Sequence, residues 1–205
     1  MKYVEIVCAV LFVAAIYLSF TGIPGGNVLV VVSACALANL YFVASFALMN
    51  GIGFRGIIKK ESFEGIAAPR FIIAVTVGIT LSILLVGLMF KIMFWPGANV
   101  QLMAGIVCVA LIGAVALFMA MSQSEKHYWG MVVRCGFWLL PALFFWITSS
   151  ETLLHWKHPK DPGYVKARIA ADADPTNDSL QTILDEERLK IEQRILTEEL
   201  EDLEE

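Results

Sequence analysis

Two long apolar stretches joined by a tight corner constrain this chain more than any other feature. They lie within residues 71–119 and are separated by the sequence Trp95-Pro96-Gly97-Ala98-Asn99. A membrane-spanning helix needs about 20 mostly apolar residues at roughly 1.5 Å of rise each, and both stretches reach that length. Pro96 ends the first helix, Gly97 allows the backbone to turn, and Asn99 suits the N-cap of the second helix. The sequence therefore predicts a helical hairpin that crosses a bilayer twice.

The composition agrees with a membrane protein. Of the 205 residues, 58% are hydrophobic and 17% are charged, and the mean hydropathy is +0.71. These values lie outside the range of ordinary soluble proteins. The net charge of −4 describes the C-terminal tail, because ten acidic residues fall within residues 185–205. The sequence predicts an all-α integral membrane protein.

A first hairpin precedes this one. Apolar runs at 3–20 and 28–49 flank a corner that contains Pro24, Gly25 and Asn27. The first run resembles a secretory signal peptide, but it lacks a small-x-small cleavage site, so we interpret it as a retained helix. A shift of 72 residues aligns the 24–28 corner with residues 96–100, which predicts a tandem repeat of one hairpin.

The loop between the hairpins indicates the orientation. Residues 51–70 carry four basic side chains, whereas neither corner carries any. The positive-inside rule therefore places this loop and the N-terminus in the cytoplasm, with both corners on the outer side. The charge pattern around Ile57, Ile58 and Phe63 fits either a short amphipathic interfacial segment or a solvated loop.

A fifth apolar run, 128–147, has Tyr128 and Trp129 at one end and Trp146 at the other, as an interfacial aromatic belt would. We predict five full crossings with the C-terminal tail in the periplasm. Arg134 and Pro141 interrupt the run, and four basic residues follow it within residues 157–168. These features favour the alternative, a re-entrant segment with a cytoplasmic tail.

The tail itself is polar and divides at Pro175. A short helix is predicted at 164–171, and an acidic amphipathic helix begins at about residue 179 after the cap sequence Asn177-Asp178-Ser179. This helix can pack on a neighbouring subunit, on the membrane part of its own chain, or on a second copy. The predicted organisation is a first hairpin at 1–50, a cytoplasmic loop at 51–70, a second hairpin at 71–120, a fifth membrane segment at 121–154, and a soluble tail at 155–205.

Charged residues inside membranes are costly and are the first candidates for function. Three are present in the predicted spans: Glu5, Lys91 and Arg134. Glu5 and Arg134 lie at similar depths from the cytoplasmic side, so we hypothesise that they pair between the first and fifth helices. The alternative is two independent interfacial charges. The long side chain of Lys91 can reach the outer interface.

No set of residues predicts catalysis, a cofactor or a metal site. The four cysteines lie in apolar runs without a Cys-x-x-Cys spacing. His155 and His158 lack a carboxylate or thiolate partner, so they are a weak metal signal. The Gly51-x-Gly53-x-x-Gly56 sequence follows a membrane helix rather than a strand, and we interpret it as accidental. Nucleic-acid binding has no sequence support either.

One stretch resembles a known family. Residues 88–99, which contain Lys91 and the Trp95-Pro96-Gly97-Ala98 corner, resemble the hairpin of GldL, an inner-membrane protein of the gliding-motility and type IX secretion machinery of Bacteroidota. Phe94 stands where that family has histidine. The resemblance implies a proton-driven motor subunit that forms an oligomer around a partner's helices. The motor role depends on a glutamate in the second hairpin helix, and residues 100–119 contain no acid.

Two functions follow from this reasoning. The first is a non-enzymatic scaffold or subunit of a complex in the bacterial inner membrane, which contacts lipid and a protein partner or further copies of itself. The second is a small transporter or channel that uses Arg134, Glu5 or Lys91 along its path. The scarcity of charge in the predicted spans favours the first, because ion pathways generally contain buried ionisable or polar groups.

Overall fold

A computed structural model describes residues 1–53, 56, 67–123 and 126–204 of the chain. In these residues it contains eight α-helices and no strand, so the all-α prediction is confirmed. The chain divides into two compact units, residues 1–149 and 150–205. Most of the basic loop, including Ile57, Ile58 and Phe63, lies outside the described residues.

Five helices form the first unit, and each is long and apolar enough to cross a membrane. Their bounds are α1 Lys2–Phe20, α2 Gly26–Met49, α3 Ala68–Ile92, α4 Ala98–Gln123 and α5 Lys126–Ile147. Helix α5 continues through Pro141 without a break. The protein is therefore a polytopic membrane protein whose predicted spans agree with its helices to within a few residues.

Helix α3 lies at the centre of this unit, packed against α2 on one side and α4 on the other. Helix α1 packs on α2, and α5 packs on α4 and α3.

Two glycines bring the α3 and α4 backbones together. A Cβ atom on Gly87 would lie 2.8 Å from the Leu102 Cα, and one on Gly105 would lie 2.7 Å from the Leu84 Cα. This reciprocal contact explains the close α3–α4 packing.

The corners of the two hairpins share one backbone hydrogen-bond pattern. In the first corner, the Ile23 amide donates to the Leu18 carbonyl at 3.2 Å. Seventy-two residues later, the Trp95 amide donates to the Phe90 carbonyl at 3.0 Å. Three further bonds repeat at this offset, with the amides of residues 21 and 93, 26 and 98, and 29 and 101 as donors. The shared pattern supports the interpretation of the hairpins as a tandem repeat.

The backbone conformations repeat as well, with one exception in residue type. Gly25 and Gly97 have φ of +81° and +78°, a left-handed conformation that glycine adopts without steric cost. Gly22 has φ of +74°, but the equivalent position in the second corner is Phe94, with φ of +54°. Asn99 lies inside α4, which begins at Ala98, so its assignment as the N-cap was wrong.

The second unit consists of α6 Ser150–Lys157, α7 Pro162–Ala173 and α8 Asp178–Glu204. Helix α8 begins where the cap sequence predicts, and the Asn177 side chain accepts a hydrogen bond from the Ser179 amide at 3.1 Å. Leu184 of α8 is buried against Ala167 and Ala171 of α7. The α6 helix includes His155, because Pro159 follows the helix end rather than interrupting it.

Candidate functional site

The ion pair between Arg134 and Glu5 is the centre of the candidate site. The Arg134 Nε donates to Glu5 Oε1 at 2.6 Å, and Nη2 donates to Oε2 at 2.7 Å. This two-point geometry matches the planar guanidinium to the carboxylate and is stronger than a single contact. The remaining terminal nitrogen, Nη1, donates to the Gly130 carbonyl at 3.0 Å. The structure thus brings together the two charges that the sequence placed at equal depth.

Two aromatic side chains extend the ion pair into the helix bundle. The Tyr41 hydroxyl of α2 donates to Glu5 Oε1 at 2.8 Å and accepts a hydrogen bond from Trp138 Nε1 of α5 at 3.0 Å. Tyr41 and Trp138 are buried, with 1% and 2% of their surfaces exposed. Buried phenol and indole groups require such partners. The network joins α1, α2 and α5 through four side chains.

Both members of the ion pair are accessible on one side. The exposed fractions of the Arg134 and Glu5 side chains are 18% and 12%. They border an open groove of about 1130 Å³ between α1 and α5, whose lining is almost entirely apolar. Tyr41 and Trp138 form part of its floor. The site is thus a hydrogen-bonded polar cluster at the side of an open apolar groove.

Lys91 lies at the other end of the same unit, beside the second corner. Its side chain is only 2% exposed within the chain, and its Nζ donates to Asn99 Oδ1 at 2.7 Å. The equivalent position in the first hairpin is Ser19, whose hydroxyl donates to Asn27 Oδ1 at the same distance. Lys91 therefore lies beside the corner, buried within the chain and hydrogen-bonded to Asn99, and its reach to the outer interface stays a prediction.

The remaining corner residues have no direct part in the polar cluster. Pro24, Trp95 and Pro96 are exposed on the turns, and Trp95 packs its ring edge-on against Phe90 with centroids 4.9 Å apart. They define the turns at which each hairpin reverses direction.

Sequence reasoning missed Tyr41 and Trp138. A signal was present, because a tyrosine in the middle of an apolar helix needs a hydrogen-bond partner for its hydroxyl. In the described part of the chain, His155 and His158 do not belong to any group of three or more His, Cys, Asp or Glu side chains that could hold a metal ion.

Comparison with known proteins finds one similarity. Residues 76–134 match the GldL N-terminal domain. This segment is therefore similar to the GldL N-terminal domain. The match includes Lys91 and the Trp95–Ala98 corner, on which the resemblance rested, and extends through α4 into α5. No curated protein and no solved structure matches this chain.

The boundaries of the match divide the candidate site. Arg134 is the last residue of the GldL-like segment, whereas Glu5 and Tyr41 precede it by more than 30 residues. The ion pair therefore connects the GldL-like segment to the first hairpin. The first hairpin is outside the family match but repeats the backbone pattern of the corner inside it.

Proposed function

We propose that this chain is a non-enzymatic subunit of an inner-membrane complex related to the gliding-motility and type IX secretion machinery, where it acts as a helical scaffold. The observation that carries the proposal is the two-point ion pair between Glu5 and Arg134, which further hydrogen bonds to Tyr41 and Gly130 hold in place. A charge that must transfer a proton or bind a passing ion needs to exchange partners with water. A charge held by several strong hydrogen bonds is suited to fixing the positions of helices.

The sequence of α4 gives further support. Residues 98–123 contain no aspartate or glutamate, so this helix lacks a carboxylate that could carry protons in a GldL-type motor. Close α3–α4 packing at Gly87 and Gly105 suits a rigid hairpin rather than an opening pathway. These observations favour a scaffold that retains the GldL-type hairpin without proton-driven movement.

The partner surfaces belong to this proposal too. Large apolar side chains are exposed along the outer faces of α1, α4 and α5, where they meet lipid or the helices of another subunit. We place the N-terminus in the cytoplasm and the tail in the periplasm. There, the acidic helix α8 would bind a partner protein. A C-terminal reporter that distinguishes the two compartments tests this orientation.

A small transporter is the second candidate. The observation in its favour is the burial of Lys91 within the membrane unit, because a buried ammonium is costly unless it is paired or functional. Its bond to Asn99 gives it a structural role in the scaffold proposal. Transport would require Lys91 to release Asn99 during the cycle.

Two measurements on the full chain separate the candidates. Solubilised in a mild detergent from its native membrane, the tagged protein is expected to migrate as an assembly well above its own 22.6 kDa. Reconstituted alone in vesicles, it should give no ion or proton flux above that of empty vesicles. Specific flux that disappears in both Arg134→Gln and Lys91→Met variants would replace the scaffold proposal with the transporter.

A further inference from the structure

The groove between α1 and α5 is longer than the hydrocarbon region of one membrane leaflet, which is about 15 Å thick. Its lining runs along α1 from Lys2 to Tyr17, a distance of about 22 Å at 1.5 Å per residue. A smaller cavity of about 260 Å³ shares Val13 and Trp138 with it and continues the same seam to Phe145. The two cavities are therefore neighbours along one apolar seam between α1 and α5.

The flanks of the groove face hydrocarbon. Val10 and Ile6 on α1 are 61% and 56% exposed, and Val133 and Phe137 on α5 are 66% and 54% exposed. A gap between such helices cannot stay empty in a bilayer, because its apolar lining would lose dispersion contacts on one side. In a bilayer, the groove would therefore be filled by an apolar group.

One end of the groove is positively charged. Its ionisable lining groups are Lys2, Glu5 and Arg134, which leave one net positive charge after the ion pair is formed. Lys2 lies three residues before Glu5, about one helical turn nearer the end of α1. Arg134 has five N–H donors, of which its bonds to Glu5 and Gly130 use three. Cationic donors are thus available where the apolar groove meets the membrane surface.

We propose that this groove is a binding site for one anionic phospholipid. An acyl chain fills the apolar seam between α1 and α5, and the phosphate accepts hydrogen bonds from Lys2 and from the remaining N–H donors of Arg134. The phosphate satisfies both the charge and the geometry, because guanidinium and phosphate groups pair through parallel hydrogen bonds. The bound lipid would then complete the contact between α1 and α5 that the ion pair begins.

A partner's apolar helix is a less suitable occupant. It would cover the remaining donors of Arg134 without offering an acceptor, which is expensive away from water. A zwitterionic lipid would bring a second positive charge close to Lys2. The charge at the end of the groove therefore selects an anionic headgroup.

The test uses the full chain purified in detergent and titrated with phosphatidylglycerol or phosphatidylcholine, with bound lipid counted by native mass spectrometry. We expect one phosphatidylglycerol to bind at least tenfold more tightly than phosphatidylcholine. Lys2→Gln should weaken phosphatidylglycerol binding about fivefold and leave phosphatidylcholine unchanged, as expected for loss of one basic side chain near an anionic lipid. Lys160→Gln, which removes an exposed charge from the second unit, is the matched control.

A second variant tests the groove itself. Ala9→Phe places a ring in the lining of α1 and should abolish the single tight site without changing the charge. Equal binding of the two lipids, or a Lys2→Gln variant that binds phosphatidylglycerol like the wild type, would overturn the proposal. Cross-linking of residue 9 to another protein chain in native membranes would assign the groove to a partner helix instead. None of these outcomes depends on whether the chain is a scaffold or a transporter.

Discussion

Lys91 occupies the position in the second hairpin that Ser19 occupies in the first. The two residues lie 72 positions apart, and each donates a 2.7 Å hydrogen bond to an asparagine eight residues further along the chain. One hairpin thus closes its corner with a neutral hydroxyl and the other with an ammonium group. Because the backbone pattern is shared, the difference in side chain can be examined in matched positions of a single protein.

The two asparagines should therefore differ in importance. Asn99→Ala removes an acceptor from a charged donor, and hydrogen bonds to charged groups contribute about 1.5 to 3 kcal/mol. Asn27→Ala removes an acceptor from a neutral hydroxyl, whose bond contributes about 0.5 to 1.5 kcal/mol. Reversible unfolding in detergent measures both. Equal losses of stability would mean that Lys91 gains nothing from its bond to Asn99.

The Glu5–Arg134 pair should behave as a coupled unit. Breaking a buried pair by removing one partner costs about 3 to 5 kcal/mol, because the other charge is left without compensation. Arg134→Gln alone should lower the free energy of unfolding by an amount near the lower end of this range, since both side chains are partly exposed. The double variant with Glu5→Gln should recover part of the loss. Strictly additive losses in this double-mutant cycle would indicate that the two charges act independently.

A glycine at the contact between the hairpins should be difficult to replace. A Cβ atom on Gly78 of α3 would lie 2.0 Å from the Ser45 Cβ of α2, so Gly78→Ala must separate the helices. We expect a loss of about 1 to 3 kcal/mol, as is usual for overpacking. Gly136→Ala in α5 is the control, because a Cβ there meets nothing within 4 Å. The control should be neutral or stabilising, since alanine favours helices by about 1 kcal/mol over glycine.

The second unit should become more stable in mildly alkaline solution. Burial lowers the pKa of Lys157 from its ordinary value to about 8, so the folded chain binds fewer protons than the unfolded chain between pH 8 and 10.5. Stability therefore rises with pH through this window and is lowest below pH 8. Lys157→Met should raise stability at pH 7 by roughly 1 to 3 kcal/mol.

Hydrogen exchange of α6 and α7 in the full-length protein, followed from pH 7 to 10, measures this effect. The Lys157→Met variant should lose the part of the pH dependence of stability that Lys157 causes. Other titrating groups contribute equally to the wild type and the variant. Parallel curves for wild type and variant would contradict the assignment. His158, whose pKa is also lowered by burial, titrates below this range and does not contribute to it.

The helices of the membrane unit could be predicted from the sequence because membrane spans have a strong signal in length and hydropathy. Proline and glycine at the corners predict where each span of a hairpin ends. The shift of 72 residues predicts the repeat. The first residue of a helix was predicted less accurately than its last residue. Asn99 lies within its helix rather than capping it, because its side chain bonds to Lys91 instead of to the backbone.

The candidate site was only partly predictable. Matched depth along two helices was enough to suggest that Glu5 meets Arg134, because an unpaired charge in a bilayer is costly. The contributions of Tyr41 and Trp138 required the packing of α2 and α5 around α1, which one sequence does not specify. The groove was not predictable at all, since it results from a gap between helices rather than from any residue pattern.

The ion pair also has a consequence for the order of synthesis. Glu5 and Arg134 are 129 residues apart, so at 5 to 20 residues per second the ribosome makes the arginine roughly 6 to 26 seconds after the glutamate. Tyr41 follows Glu5 by only 36 residues and can donate to the carboxylate in the meantime. The first hairpin therefore carries an interim partner for its charge until the fifth helix enters the membrane and adds an ion pair to this hydrogen bond.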